Sequence, residues 1–188
     1  MRALYFVATS AAVAVLFLAG PGLAGEHGDG EHDGERDRGG RASRGAPATA
    51  AASPAQALYV KECGSCHLAY PPGYLPAASW TKTMAGLERH FGQNAELDAE
   101  TSAALERYLV DNAAESGSDR KSRKILSSLG GAAPLRVSET PYFQRKHREL
   151  DARVVARPSI RSWANCGACH GGAKEWDFSE DRVRIPAK

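Results

Sequence analysis

All four cysteines of the chain lie in two copies of one short pattern, which constrains the fold more than any other feature. Each copy reads C-x-x-C-H, at residues 63–67 and again at residues 166–170. Two thiols three positions apart on a helical turn face the same side, where they can bond to both vinyl groups of one porphyrin. The histidine that follows is then placed as an axial ligand of the iron. The pattern therefore predicts two covalently bound haem c groups. The predicted attachment residues are Cys63, Cys66, Cys166 and Cys169, and the predicted first iron ligands are His67 and His170.

Two other uses of paired cysteines fit the sequence less well. A thioredoxin-like dithiol expects a βαβ context and no histidine after each pair. A four-cysteine zinc site would have to join pairs separated by about one hundred residues, far more than the spacing of a zinc ribbon. Both alternatives stay open at this point, but haem attachment explains every cysteine and both histidines.

The first 54 residues are expected to lie outside the folded part. Residues 1–24 combine one positive charge, a short apolar run and small residues before a cleavage site, which is typical of a signal peptide. An uncleaved membrane anchor is the alternative. Residues 25–54 mix charges with Gly, Ala and Ser, so we predict a disordered tether in which His27 and His32 are solvated. The sequence thus predicts export to the periplasm, without stable membrane insertion after cleavage.

Two histidines remain to complete the coordination of the irons. His90 follows the first motif and His147 precedes the second. We predict that His90 is the second ligand of the first iron and His147 that of the second. The competing ligand is Met84, the only methionine after the initiator, and it could serve one haem at most. An open coordination position is the other alternative for the first iron, and a surface position is the alternative for either histidine.

Helix signals are clear in the first half of the folded part. Ser53-Pro54 begins a helix that we predict from residue 55 to Cys66. Ser79 is the predicted cap of a second helix that runs through Leu87 toward His90. Asp98 is the predicted cap of a third helix. This order indicates a class I cytochrome c-like helical domain over residues 55–114.

The second half carries weaker signals. Residues 115–188 are basic and interrupted by Gly and Pro, so we predict a C-terminal haem domain with little regular secondary structure. Short helices are expected only near residues 122–129, 142–150 and 162–169. The predicted fold class is therefore mainly α, with two haem domains of different regularity.

Four segments of the chain together resemble a known family. Residues 59–67, 86–92, 139–147 and 163–170 are similar, in order and spacing, to the dihaem cytochrome c family known as DHC. The resemblance covers nearly all of residues 56–186, but not the tether. It implies two neighbouring haems with two histidine ligands each. Carried over by position, the ligand pairs are His67 with His90 and His170 with His147. It further implies electron donation to the small oxygen-binding monohaem cytochrome SHP, with a membrane cytochrome b as a possible donor.

The function predicted from these features is low-potential electron transfer and not catalysis. Two nitrogen ligands on each iron leave no position for a substrate and favour low potentials. Residues 55–114 carry 4 basic and 7 acidic side chains, a net charge of −3. Residues 115–188 carry 15 basic and 9 acidic side chains, a net charge of +6. This asymmetry favours a charged redox protein as partner, and nucleic acid is not expected for an exported haem protein. A dihaem peroxidase and a haem-based ligand sensor, each with one open iron site, are the alternatives.

Overall fold

Short helices joined by turns make up the computed structural model, which describes residues 52–187. These residues belong to a single compact unit. Within the described part the chain forms no β-strand, only isolated bridge pairs. The fold is therefore mainly α, as predicted. The predicted signal peptide of residues 1–24 and almost all of the predicted tether lie outside the described residues. The α-helices are α1 Pro54–Cys63, α2 Ala77–Met84, α3 Ala99–Asp111, α4 Arg120–Ser128, α5 Pro141–Lys146 and α6 Ala152–Val155.

Capping residues determine where the helices begin. Ser53 accepts a hydrogen bond from the amide of Gln56 and precedes Pro54, so α1 begins where the sequence predicts. Asp98 caps α3 in the same way through the amide of Thr101. The predicted cap Ser79 is wrong. Helix α2 begins after Pro76, and Ser79 lies buried inside it.

Two helices are shorter than predicted. Helix α1 ends at Cys63, so Cys66 lies in the following turn. Helix α2 ends at Met84, and a separate 3₁₀ turn, Leu87–Arg89, leads to His90. In the second half, a helix is expected over residues 162–169. The structure has only the 3₁₀ turn Cys166–Ala168 in that range. Helix α6 was not predicted. The other 3₁₀ turns are Pro72–Tyr74, Val137–Glu139, Ala173–Glu175 and Glu180–Arg182.

The apolar core lies between α1, α2 and α3. It consists of buried side chains from residues 59–113, namely Tyr59, Ala69, Leu75, Trp80, Met84, Leu105, Leu109 and Ala113. Two side chains of the second half, Val137 and Trp176, pack against it. The first half therefore buries a core of its own, and the second half contributes to its surface.

The last described residues pack beside the second cysteine motif. The amide of Arg184 donates to the carbonyl of Cys169 at 2.8 Å, and His170 and Val183 form a bridge pair. The guanidinium of Arg157 donates to the carbonyl of Pro186 at 2.6 Å. The second motif is thus held by the segment that follows it. The first motif, in contrast, is held by the helix that precedes it.

No helix of the described residues is long and apolar enough to cross a bilayer.

Candidate haem-binding sites

The first site combines the end of α1 with the 3₁₀ turn after α2. Cys63 is the last residue of α1, and Cys66 and His67 follow in the turn. The ring centres of His67 and His90 lie 6.0 Å apart, and the ring planes differ by only 18°. Nδ1 of His67 lies 2.7 Å from the carbonyl oxygen of Leu68. A proton on Nδ1 donated to this carbonyl leaves Nε2 free to bind a metal.

The second site combines the 3₁₀ turn Cys166–Ala168 with the end of α5. The ring centres of His147 and His170 lie 6.2 Å apart, with an angle of 66° between the planes. Nδ1 of His147 lies 2.9 Å from the carbonyl oxygen of Phe143. The Phe143 ring stacks on His147 with centres 3.9 Å apart. These contacts hold the His147 ring facing His170.

The spacing within each histidine pair fits a metal ion between the rings. A histidine nitrogen binds a transition metal at about 2 Å, so two opposed nitrogens stand about 4 Å apart and their ring centres about 6 Å apart. Both measured separations match this value. The second pair opens onto a cavity of about 1000 Å³ that also contains Cys166 and Cys169. Its volume is at the upper end of the range for cofactor sites, so the residues present fit a porphyrin.

The electrostatic environment favours the neutral imidazole of one histidine at each site. Burial lowers the pKa of His90, and the neighbouring His67 and Arg136 lower it further. Burial also lowers the pKa of His170, with smaller contributions from His147 and Lys121. A neutral imidazole is the form that binds a metal.

The surroundings raise the thiol pKa values of Cys63, Cys166 and Cys169. None of the four cysteines forms a disulfide. Burial, with Glu62 and Cys66 adding to it, raises the pKa of Cys63 to about 11, and burial raises that of Cys166 to about 11. A dithiol redox motif needs a lowered pKa to form its thiolate, so the thioredoxin-like alternative loses support.

The zinc and methionine alternatives also lack support in the geometry. Within residues 52–187, no three His, Cys, Asp or Glu side chains are grouped closely enough to hold a metal ion. Met84 is buried among the apolar core residues and is only 7% exposed. The second imidazole that the structure brings to the first site is that of His90.

Two aromatic residues that the sequence analysis did not single out connect the two sites. The ring of Tyr70 lies 5.5 Å from that of His67, and its hydroxyl donates to the carbonyl of Ala164 at 2.9 Å. The indole of Trp176 donates to the carbonyl of Ala69 at 2.7 Å. Tyr70 follows the first motif by three residues, but its contacts span 94 positions of sequence, so no local pattern predicts them.

Comparison with known proteins identifies the family. Residues 59–178 match the family of dihaem cytochrome c proteins. The diheme cytochrome c from Shewanella baltica OS155 is 39% identical, with a TM-score of 0.59, and the match covers 72% of this chain and 96% of that one. A diheme cytochrome c from Rhodobacter sphaeroides is 45% identical, with a TM-score of 0.57, covering 65% of this chain and 95% of that one. A second structure from Rhodobacter sphaeroides is 43% identical, with a TM-score of 0.53, covering 65% and 96%.

Among proteins with curated functions, none matches the chain. The family match spans well over half of the sequence, and the solved relatives are matched over nearly their whole length. The chain belongs to the dihaem cytochrome c family of electron carriers, and its cofactors are two covalently bound c-type haems.

Proposed function

We propose that this protein is a periplasmic, low-potential electron carrier in which His67 and His90 hold the first iron and His170 and His147 the second. The observation that carries this proposal is the geometry of the two histidine pairs. Among the described residues, each motif histidine lies beside one other imidazole, at a separation of 6.0 Å in the first pair and 6.2 Å in the second. A haem iron held between the two rings of each pair would have no coordination position left for a substrate.

The polypeptide around each site keeps the ligands in place. The carbonyls of Leu68 and Phe143 each accept a hydrogen bond from a histidine Nδ1, which orients the ring and increases the basicity of Nε2. When bound, the haem iron supplies one-electron redox chemistry. Rigidly held ligands favour rapid exchange of that electron, because little rearrangement accompanies the change of charge.

The ligand type supports the low potential. Methionine in place of histidine raises the potential of a c-type haem. Met84 belongs to the buried apolar core and is only 7% exposed. Two imidazoles on each iron therefore favour potentials below those of histidine–methionine cytochromes.

Export is supported by the sequence alone. Residues 1–24 have the pattern of a signal peptide, and thioether attachment requires haem on the oxidising side of a membrane. The proposed partner is a small monohaem cytochrome of the SHP type, with a membrane cytochrome b as donor. The charge difference between residues 55–114 and residues 115–188 supports electrostatic steering toward such a partner.

Near-infrared magnetic circular dichroism of the oxidised protein tests the ligand sets. Two bis-histidine bands are expected, and a histidine–methionine band would contradict the assignment. Replacing His90 with Ala should perturb one haem, and replacing His147 with Ala the other. Met84→Leu is the matched control, because it removes the thioether and nearly preserves the core volume; both bands should survive it.

Carbon monoxide separates the carrier from the alternatives. A dihaem peroxidase or a ligand sensor has an open or displaceable position on one iron, and its reduced form would bind carbon monoxide. The reduced native protein should show no spectral change, whereas the His90→Ala and His147→Ala variants should bind the gas. Binding by the native protein would contradict the proposal.

A further inference from the structure

Lys121 is a positive charge enclosed by aromatic rings beside the second site. It lies in the first turn of α4, and its ammonium donates to the hydroxyl of Tyr74 at 2.9 Å. The same nitrogen lies 5.4 Å from the ring centre of Tyr74 and 5.4 Å from that of Phe178. The side chain is half-buried, so its charge is screened less than that of an exposed lysine.

The aromatic contacts bring this charge close to an iron ligand. The Phe178 ring lies 5.3 Å from the ring of His170. With Nζ 5.4 Å from the same phenyl ring, Lys121 lies within about 11 Å of the His170 ring, close to one Debye length at moderate salt. Lys121, Phe178 and His170 all line the 1000 Å³ cavity of the second site.

No carboxylate in the described part of the chain neutralises this ammonium in an ion pair. Glu180 lines the same cavity and is paired with Lys146 at 2.6 Å, and Lys121 makes only the smallest contribution to lowering its pKa. Asp119 lies two residues away, where its carboxylate accepts from the amides of Lys121 and Ser122 as the cap of α4. Lys121 therefore has no direct ion-pair partner among the described residues, and its charge lies beside the aromatic rings of the second site.

The first site has a nearby cation that is paired with a carboxylate. The guanidinium of Arg136 lies 3.8 Å from the ring centre of Phe91, which in turn contacts His90. Arg136 forms an ion pair with Glu139 at 3.6 Å, which offsets part of its field at the first site. The net charges of the two halves differ in the same sense. Residues 55–114 carry −3 and residues 115–188 carry +6, so the half that contains the second motif is the more positive.

A fixed positive charge stabilises the reduced form of a redox site, because reduction adds one negative charge. We infer that Lys121 makes the second site the more readily reduced of the two, so that an electron taken up by the protein resides there and leaves from there. One electron is transferred from the first site to the second, which oxidises the first and reduces the second. No bond forms or breaks, and no proton moves. The inference rests on the proposed ligand pairs.

The angles between the histidine rings provide a way to observe each site separately. Nearly parallel imidazoles, as at 18° in the first pair, give a rhombic low-spin EPR signal from ferric haem. Strongly inclined imidazoles, as at 66° in the second pair, give a signal with one large principal g value. In an equilibrium reductive titration of the native holoprotein, the second signal should disappear first.

Replacing Lys121 with Met removes the charge and retains a side chain of similar length. The equilibrium constant for electron transfer from the first site to the second should fall about tenfold, the effect of a unit charge at about 10 Å in an effective dielectric of about 20. Lys121→Gln is a second neutral variant that can still bond to Tyr74, and it should give the same fall. Lys121→Arg keeps the charge and should retain the native order. Lys174→Met, which removes an exposed lysine of the same half, should change the constant less than twofold.

Three results would overturn the inference: loss of the first signal before the second in the native protein, a less than twofold change in both neutral variants, or an equal change in Lys174→Met. Failure of the proposed ligand pairs is a different observation. It would appear in the native protein as a histidine–methionine or high-spin signal before any titration begins.

Discussion

Replacing Trp176 with Phe should destabilise the whole protein and not only its second half. The indole nitrogen donates to the carbonyl of Ala69 at 2.7 Å, and the ring centre lies 6.4 Å from that of Tyr59 in the core. Ala69 is only 4% exposed. The substitution therefore leaves a buried acceptor without its donor and reduces the apolar contact across the junction between the halves.

The magnitude follows from these two losses. An unsatisfied buried acceptor costs about 1–3 kcal/mol, and the smaller ring gives up roughly 1 kcal/mol of apolar burial. Because Trp176 is only half-buried, water offsets part of both losses, and we expect a decrease of about 2 kcal/mol in the free energy of unfolding. With a guanidinium m-value of about 4 kcal/mol per molar, the unfolding midpoint should fall by about 0.5 M.

Equilibrium unfolding of the holoprotein in guanidinium, followed by the Soret band, measures this shift. Trp163→Phe is the matched control, because Trp163 is 38% exposed and its indole donates no hydrogen bond to the described residues. We expect the control to change the free energy by less than about 0.5 kcal/mol. Equal shifts in the two variants would refute the reasoning, as would a Trp176→Phe variant with an unchanged midpoint.

Four further results are expected. The mature protein should carry the mass of two haems and keep both through acid–acetone extraction, whereas a mass with fewer than two would contradict covalent attachment at both motifs. The haem-free chain should lose most of its helical circular dichroism, because the second half has few buried apolar side chains of its own; near-native helix content would contradict this. Electron transfer to the natural acceptor should slow as the salt concentration rises, since charge steering is screened beyond about 8–10 Å. A rate that does not change with salt would show that charge steering has no part in docking. Hydrogen bonds from Ser179 and the ion pair with Arg182 lower the pKa of Asp177 to about 2, so its stabilising effect is complete above an unfolded-state pKa of about 4 and is lost as the pH falls through about 2. Asp177→Asn should flatten that acid limb of the stability profile, and an unchanged limb would show that this carboxylate has no part in it.

The sequence predicts most of the first half because its signals are local. Ser53 and Asp98 begin their helices as expected, since each needs only its own side chain and an amide three residues later. The prediction at Ser79 is wrong because it also relied on a local signal alone. Its hydroxyl suggested a cap, but Pro76 begins α2 earlier and carries Ser79 into the core.

The second half depends on contacts that no short pattern contains. The turns around Cys166 are irregular, and they are held by the chain near Arg184 and by the hydroxyl of Tyr70. The sequence shows that four histidines are available as ligands, but the orientation of their rings depends on tertiary contacts. Phe143 illustrates this, because its carbonyl orients the ring of His147, a contact that the residue types alone do not indicate.

The position of the segment after the second motif has a consequence for biosynthesis. Phe178, Val183 and Ile185 line the second cavity, and Arg184 bonds to Cys169. Under the proposed export, a chain that crosses the membrane N-terminus first delivers α1–α3 to the oxidising side before it can close the second cavity. Until residue 185 has crossed, both thiols of the second motif stay open to the enzymes that attach haem. The order of export therefore favours loading the first site before the second.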